Sequence, residues 1–272
     1  MSFSARETSR HLGQPDTLFR FEYGTQTIAY TDAEREIDLE GVTYRPIPIQ
    51  RNAITSSGTL DKATININLP INTEIAELFR VFPPSDVVGV TIYQSHDGEK
   101  QFLAMFVGRV LSCGRKGRVA TLACEPASTS IRRPGLRRRW QYGCPHVLYG
   151  PQCRASRAAF TYTRTVASVD RAFVTMPSGW QGSNNRSSFE NGLIEWDGPN
   201  GTEVRNILQV NNDTLTISGR VSGLATGSSV RLSLGCKHTM GDCRVVFNNI
   251  QNYGGDPWIP LKNPVGLVNH FY

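Results

Sequence analysis

The sequence predicts a mainly β protein: an N-terminal β-barrel or sandwich domain, then a cysteine-cluster domain that contains an inserted small β module. Three observations carry this. Short runs rich in Thr, Ile and Val alternate apolar and polar residues, the period of a half-buried strand. Turn pairs such as Glu40-Gly41, Asn200-Gly201 and Asn212-Asp213 separate the runs. One stretch stands out with helical spacing, at Ile75, Leu78, Phe79 and Phe82. An apolar content of 39% over 272 residues permits a real core in one large or two modest domains.

The elements follow in order. Residues 18–23 and 63–69 alternate, each with one apolar face. Residues 36–49 read as a hairpin turning at Glu40-Gly41. The helix is expected to start at a cap on Asn72 or Thr73 and to stop at Pro83-Pro84. A meander follows: residues 87–94 turn at Asp97-Gly98 into 101–113, which turn at 114–117 into 118–124. Periodicity is lost over 128–139, and a domain boundary is expected there. Further short strands are expected at 160–168, 172–176, 193–196, 204–210, 214–218 and 229–234. The resulting division is a β-rich domain over 1–126 and a cysteine domain over 127–250, with the inserted module at about 158–235. A Pro-spaced aromatic tail over 251–272 is expected to dock on an adjacent protomer or another protein, or to strap its own domain.

Four of the six cysteines form two pairs with the same layout. Cys144-Pro145-His146 is followed by Cys153, and Cys236-Lys237-His238 by Cys243. Four soft thiolates on two loops suit a tetrahedral zinc or an iron–sulfur cluster. The intervals of eight and six residues are longer than a zinc knuckle's, whereas a cubane tolerates varied spacing because each Cys binds a different iron. His146 and His238 are expected to donate to the ligands or to lie on the surface. Disulfide pairing stays open, since six cysteines allow fifteen connectivities. The N-terminal residues 1–6 lack an apolar signal region, so maturation in a reducing cytoplasm is expected. Cys113 and Cys124 read as buried small apolar residues on neighbouring strands, out of register for a bond.

Other features carry weaker chemistry. The net charge of +6 allows an acidic protein or a nucleic acid as partner. Arg132, Arg133, Arg137, Arg138 and Arg139 are expected to form a solvated linker or to pair with a neighbouring subunit, with DNA contact only in passage. A zinc- or cluster-containing nucleic-acid-binding protein is therefore one alternative. Gly254-Gly255-Asp256-Pro257 lacks the Lys-Ser/Thr of a phosphate loop and reads as a tight turn whose N–H groups approach sulfur. A cysteine hydrolase is a second alternative, with Cys144 as nucleophile and His146 or His238 as base. Pro145 follows Cys144 directly and no strand–turn–helix presents it, so the chain is not expected to be an enzyme. No run is apolar enough to span a bilayer.

Two strings resemble a known phage family. One is Trp140-Gln141-Tyr142-Gly143-Cys144-Pro145-His146-Val147-Leu148-Tyr149-Gly150-Pro151-Gln152-Cys153. The other is Gly235-Cys236-Lys237-His238-Thr239-Met240-Gly241-Asp242-Cys243, with Phe247-Asn248-Asn249 and Asn252-Tyr253-Gly254-Gly255 after it. They look like the cysteine segments of the phage conserved hypothetical BR0599 family, which is related to the baseplate hub of gene transfer agents and similar to the lambda tail-tip protein L. The resemblance covers about 140–260. It implies a structural virion protein at the tail tip of a long-tailed phage, assembled in the host cytoplasm as a homotrimeric hub. Its implied partners are the distal tail or tail tube protein, the central fibre or receptor-binding protein and the tape measure protein. It also implies a [4Fe–4S] cluster, with zinc as the alternative, on Cys144, Cys153, Cys236 and Cys243.

Overall fold

The computed structural model describes residues 6–9, 13, 15–54, 64–96, 101–132, 140–198 and 201–259. The chain divides into two compact units, 1–133 and 134–272.

In the first unit, nine strands share one sheet: β1 (Pro15–Tyr23), β2 (Gln26–Thr31), β3 (Ile37–Leu39), β4 (Val42–Pro46), β5 (Gln50–Arg51), β6 (Ile65–Pro70), β7 (Val88–His96), β8 (Leu103–Lys116) and β9 (Val119–Pro126). Their order is β3-β4-β2-β1-β7-β8-β9-β6-β5. Among the described residues β3 and β5 do not pair, so the sheet is open and sandwich-like, and the barrel half of the expectation is not met. Alternation places Phe19, Phe21, Ile65, Ile67, Leu69 and Ile92 in one core, while Leu18, Ala29 and Tyr44 fill a smaller cluster. The β3–β4 hairpin turns at Glu40-Gly41 as expected. Both residues are left-handed (φ 53° and 78°), which suits a two-residue hairpin.

Three local readings are corrected here. Helix α1 is only Glu74–Leu78, with Phe79 at its C-cap. Its buried face is a single turn, Ile75 and Ala76, and the Arg115 guanidinium takes the carbonyl of Ala76. Pro83 disfavours helical backbone at Phe82, which is exposed. The β8–β9 turn is Gly117-Arg118, not 114–117, because Gly114 pairs with Thr121 inside the ladder. A bulge between Val110 and Ser112 then sets Cys124 opposite Val110 and Cys113 opposite Leu122. Cys124 is fully buried, but Cys113 is only half-buried. The tip expected at Asp97-Gly98 lies outside the described residues.

The second unit holds a seven-stranded antiparallel sheet: β10 (Thr161–Thr165), β11 (Ser168–Asp170), β12 (Phe173–Thr175), β13 (Leu193–Gly198), β14 (Gly201–Asn211), β15 (Thr214–Ile217) and β16 (Ser229–Ser233). Its order is β10-β16-β13-β14-β15-β12-β11. The run read as 160–168 is two strands, broken at Val166, whose buried side chain joins the core. Trp180, Phe189, Ile194, Trp196, Ile207 and Leu232 form that core, and both indoles are satisfied. Trp196 Nε1 donates to the Ser222 carbonyl at 3.0 Å and Trp180 Nε1 to Asp213 Oδ1 at 3.1 Å. Leu234, Cys236 and Phe247 belong to the same core, so the sheet and the second cysteine segment are one packed body.

Candidate functional site

The strand pairing of β10 with β16 is what brings the two cysteine segments together. Thr161 lies opposite Ser233, so the chain leaving Cys153 and the chain returning to Cys236 run side by side. The sheet therefore closes the long loop between the segments, a task that the sequence reading left to a metal. Phe247 seals the junction, packing edge-on against Phe160 (4.9 Å between centroids) and Tyr149 (6.1 Å). The Tyr149 hydroxyl donates to the Leu234 carbonyl at 2.7 Å, and burial raises its pKa.

Cys144, Cys153, Cys236 and Cys243 all line one small, partly enclosed cavity of about 20 Å³. His146, Leu148, His238, Thr239, Phe247, Asn249 and Asn252 complete the wall. All six cysteines of the chain are free thiols. The loops that carry the four are conformationally costly. Tyr149, Arg154, His238 and Asn248 are left-handed, at φ 60°, 58°, 58° and 46°, each a departure of about 1 kcal/mol for a residue with a Cβ. Cys243 lies on the short helix α2 (Met240–Val245), whose start is fixed twice. Thr239 accepts from the Asp242 amide at 3.1 Å, and the Asp242 carboxylate accepts from the Lys237 amide at 2.8 Å.

Three of the sulfurs receive N–H groups. The His238 amide points at Cys236 Sγ (3.3 Å), the Gly254 amide at Cys144 Sγ (3.4 Å) and Asn249 Nδ2 at Cys153 Sγ (3.7 Å). Cys243 Sγ donates to the Asn249 carbonyl at 3.1 Å. Burial pushes the Cys236 thiol up to about 11, eased by the His238 amide and reinforced by Asp242, Cys243 and Cys144. The Cys243 thiol is raised by burial and by Cys144 and Cys153. The raised thiols of Cys236 and Cys243 are shifted opposite to the depressed thiol of a nucleophile.

The two histidines serve differently from each other. His146 Nδ1 donates to the Asn252 carbonyl at 3.1 Å, and its ring lies so close to Gly254 that a Cβ there would sit 2.4 Å from Nε2. His238 acts through its backbone, with its amide on Cys236 and its carbonyl accepting from the Cys144 amide at 2.9 Å. The Gly254-Gly255 turn, read as one that lets N–H groups reach sulfur, does so at Cys144. It is tied down by Tyr253 Oη on the Tyr142 carbonyl (2.9 Å) and the Asp256 amide on the Gln141 carbonyl (2.9 Å). Asn249 was not singled out by sequence reasoning; the Phe247-Asn248-Asn249 string was its only signal. The side chains of the arginine run at 132–139 lie outside the described residues.

The donor set fits a thiolate-bound inorganic centre. Among the described residues no three His, Cys, Asp or Glu side chains gather around a single point. The four thiols all belong to the wall of one cavity. Cys144, Cys153, Cys236 and Cys243 are the residues that would hold such a centre. No helix among the described residues is long and apolar enough to cross a membrane.

Comparison with known proteins gives three findings. An uncharacterized protein of Xylella fastidiosa (strain 9a5c) is 27% identical over 194 residues, which is 66% of this chain and 40% of that protein. The chain thus spans about 40% of the length of the curated relative it matches. A chain from the virion of a native gene transfer agent particle has the same fold, with a TM-score of 0.80 at 18% identity over 99% of this chain and 97% of that one. The model of the family described as phage conserved hypothetical protein BR0599 matches residues 187–263, the segment that bears Cys236, Cys243 and Asn249.

Proposed function

We propose that this chain is a structural protein of a phage or gene-transfer-agent virion, and that it serves as the tail-tip or baseplate hub. In this reading Cys144, Cys153, Cys236 and Cys243 hold a [4Fe–4S] cluster. The observation that carries the reading is the convergence of four thiols, from two segments far apart in sequence, on one cavity. The fold shared with a chain of a gene transfer agent virion and the BR0599 match supply the context. When bound, the cluster supplies covalent iron–thiolate cross-links between the two segments.

The chain's own residues do the rest. The His238 and Gly254 amides and the Asn249 side chain offset negative charge at three sulfurs. Leu148 and Phe247 keep water from the inner wall. The hub reading further assigns a homotrimer contacting the tail tube, central fibre and tape measure proteins, with closed symmetry setting the shape of its sides.

Anaerobic purification with iron and acid-labile sulfide assays tests the cluster. About four of each per chain is expected. Stoichiometric zinc without sulfide would replace the cluster with a zinc staple, and a metal-free protein would remove both. Native mass measurement of the purified chain, alone and with a distal tail protein, tests the hub. A stable trimer that binds that protein is expected.

A further inference from the structure

We infer that Asn249 is the positioning residue of the cysteine site: it joins the two segments and sets how tightly the inorganic centre is retained. The inference rests on the proposed metal-binding reading of Cys144, Cys153, Cys236 and Cys243. Asn249 uses its hydrogen-bonding capacity on both segments. Its Nδ2 donates to the Cys153 carbonyl at 2.5 Å and reaches Cys153 Sγ at 3.7 Å. Its backbone amide donates to the Cys243 carbonyl at 2.8 Å, and its backbone carbonyl accepts from Cys243 Sγ at 3.1 Å. Its Oδ1 accepts from Asn252 Nδ2 at 2.6 Å, and the Asn252 carbonyl in turn holds His146 Nδ1. One residue thus links the two segments, its side chain holding Cys153 and, through Asn252, His146, and its backbone holding Cys243.

Chemistry decides why this position needs an amide. The carbonyl of Cys153 and its sulfur both take a donor, and Asn252 Nδ2 takes an acceptor; only a carboxamide presents both at that reach. Asp has the same shape, lacks the donor, and places a negative charge where Cys153 takes a donor. The other N–H groups on sulfur come from the backbone of His238 and Gly254, so they survive side-chain substitution, whereas this one does not. The left-handed Asn248 (φ 46°) is the bend that turns the Asn249 side chain back across the site. Outer-shell donors of this kind typically change metal retention 10–100-fold when removed.

The test compares the full-length wild type with Asn249→Asp and Asn249→Ala, and with Ile217→Val as a destabilised control in the sheet core. The rate of metal loss to excess chelator is followed in each, with circular dichroism to monitor the sheet. Loss about 10-fold or more faster in both Asn249 variants is expected, with Asp worse than Ala and the control unchanged. In an iron-loaded protein the midpoint potential should also fall in Asn249→Ala, because a donor to sulfur is lost. A wild type with no bound metal overturns both the metal-binding reading and this inference. A metal-loaded wild type whose loss rate matches that of Asn249→Ala, or whose loss rate the control alters equally, overturns the inference alone.

Discussion

The amide of Cys144 donates to the carbonyl of His238 at 2.9 Å. This bond aligns the leading cysteine of one segment with the residue two places after the leading cysteine of the other. The repeated Cys-x-His spelling is therefore not used symmetrically: His146 contributes its ring, whereas His238 contributes its main chain in a left-handed bend.

Replacing any one of Cys144, Cys153, Cys236 and Cys243 with Ser should reduce bound metal to well below one equivalent per centre. Cys113→Ser should leave it intact, because Cys113 stands on β8 in the other unit. Metal and sulfide analysis of the five variants, purified side by side, checks this.

Tyr149→Phe removes a buried hydroxyl and leaves the Leu234 carbonyl without that donor. A loss of about 1 kcal/mol in urea unfolding of the second unit is expected. Tyr162→Phe, at a half-buried position on β10, should cost less.

Gly235→Ala should be far more damaging than its size suggests. An added Cβ would meet the Glu190 carbonyl at 1.8 Å and the Gly192 amide at 2.5 Å, both of them backbone. A cost of about 3 kcal/mol is expected, together with displaced Cys236 and weakened metal binding. Gly241→Ala, where a Cβ finds only the Thr239 hydroxyl at 3.8 Å, should be tolerated.

Cys124 gives the first unit an alkaline limit. Burial pushes its thiol from 9.0 up to about 12. Below pH 9 both folded and unfolded chains keep the proton and its stabilisation is complete. As pH rises from about 9 toward 12 the unfolded chain loses the proton first, so stability falls. Cys124→Ala should flatten this part of the pH profile while costing about 1–2 kcal/mol at neutral pH through the cavity it leaves. Urea midpoints between pH 8 and about 11 measure both effects.

Chelation should loosen the contact between the first cysteine segment and the second while the sheet persists, because Ile194, Trp196, Ile207 and Leu232 share their core with Cys236 and Phe247 and β10–β16 pairing needs no metal. Hydrogen exchange should accelerate at the amides of Cys144 and Gly254 and remain slow in β13 and β14.

Much of this architecture is legible in local spelling. The alternation in β6 puts Ile65, Ile67 and Leu69 inward and Asn66 and Asn68 outward, and the turn pairs at Glu40-Gly41 and Asn212-Asp213 mark real hairpin ends. Errors arose where tertiary contacts overrule local pattern. Phe82 completes a helical stripe on paper, yet the proline behind it and the small buried face of α1 end the helix at Leu78. Gly114 reads as a turn, yet it is absorbed into a ladder that continues to Lys116. At the site, the cysteine pairs are visible as a repeated spacing. Asn249 is not, because an asparagine in a polar loop carries no period, and its importance comes from contacts with Cys153 that only the folded sheet creates.

The adjacency of β10 and β16 has a practical corollary for engineering. The intervening module enters and leaves through neighbouring strands, so it is a cassette inserted between the two cysteine segments. The bend at Asn212, held between paired Asn211 and Thr214, is accordingly a natural splice point for a display peptide or fluorescent label. Extra length there would be absorbed beyond the ladder, and particles carrying such a payload should load the same inorganic centre as the parent.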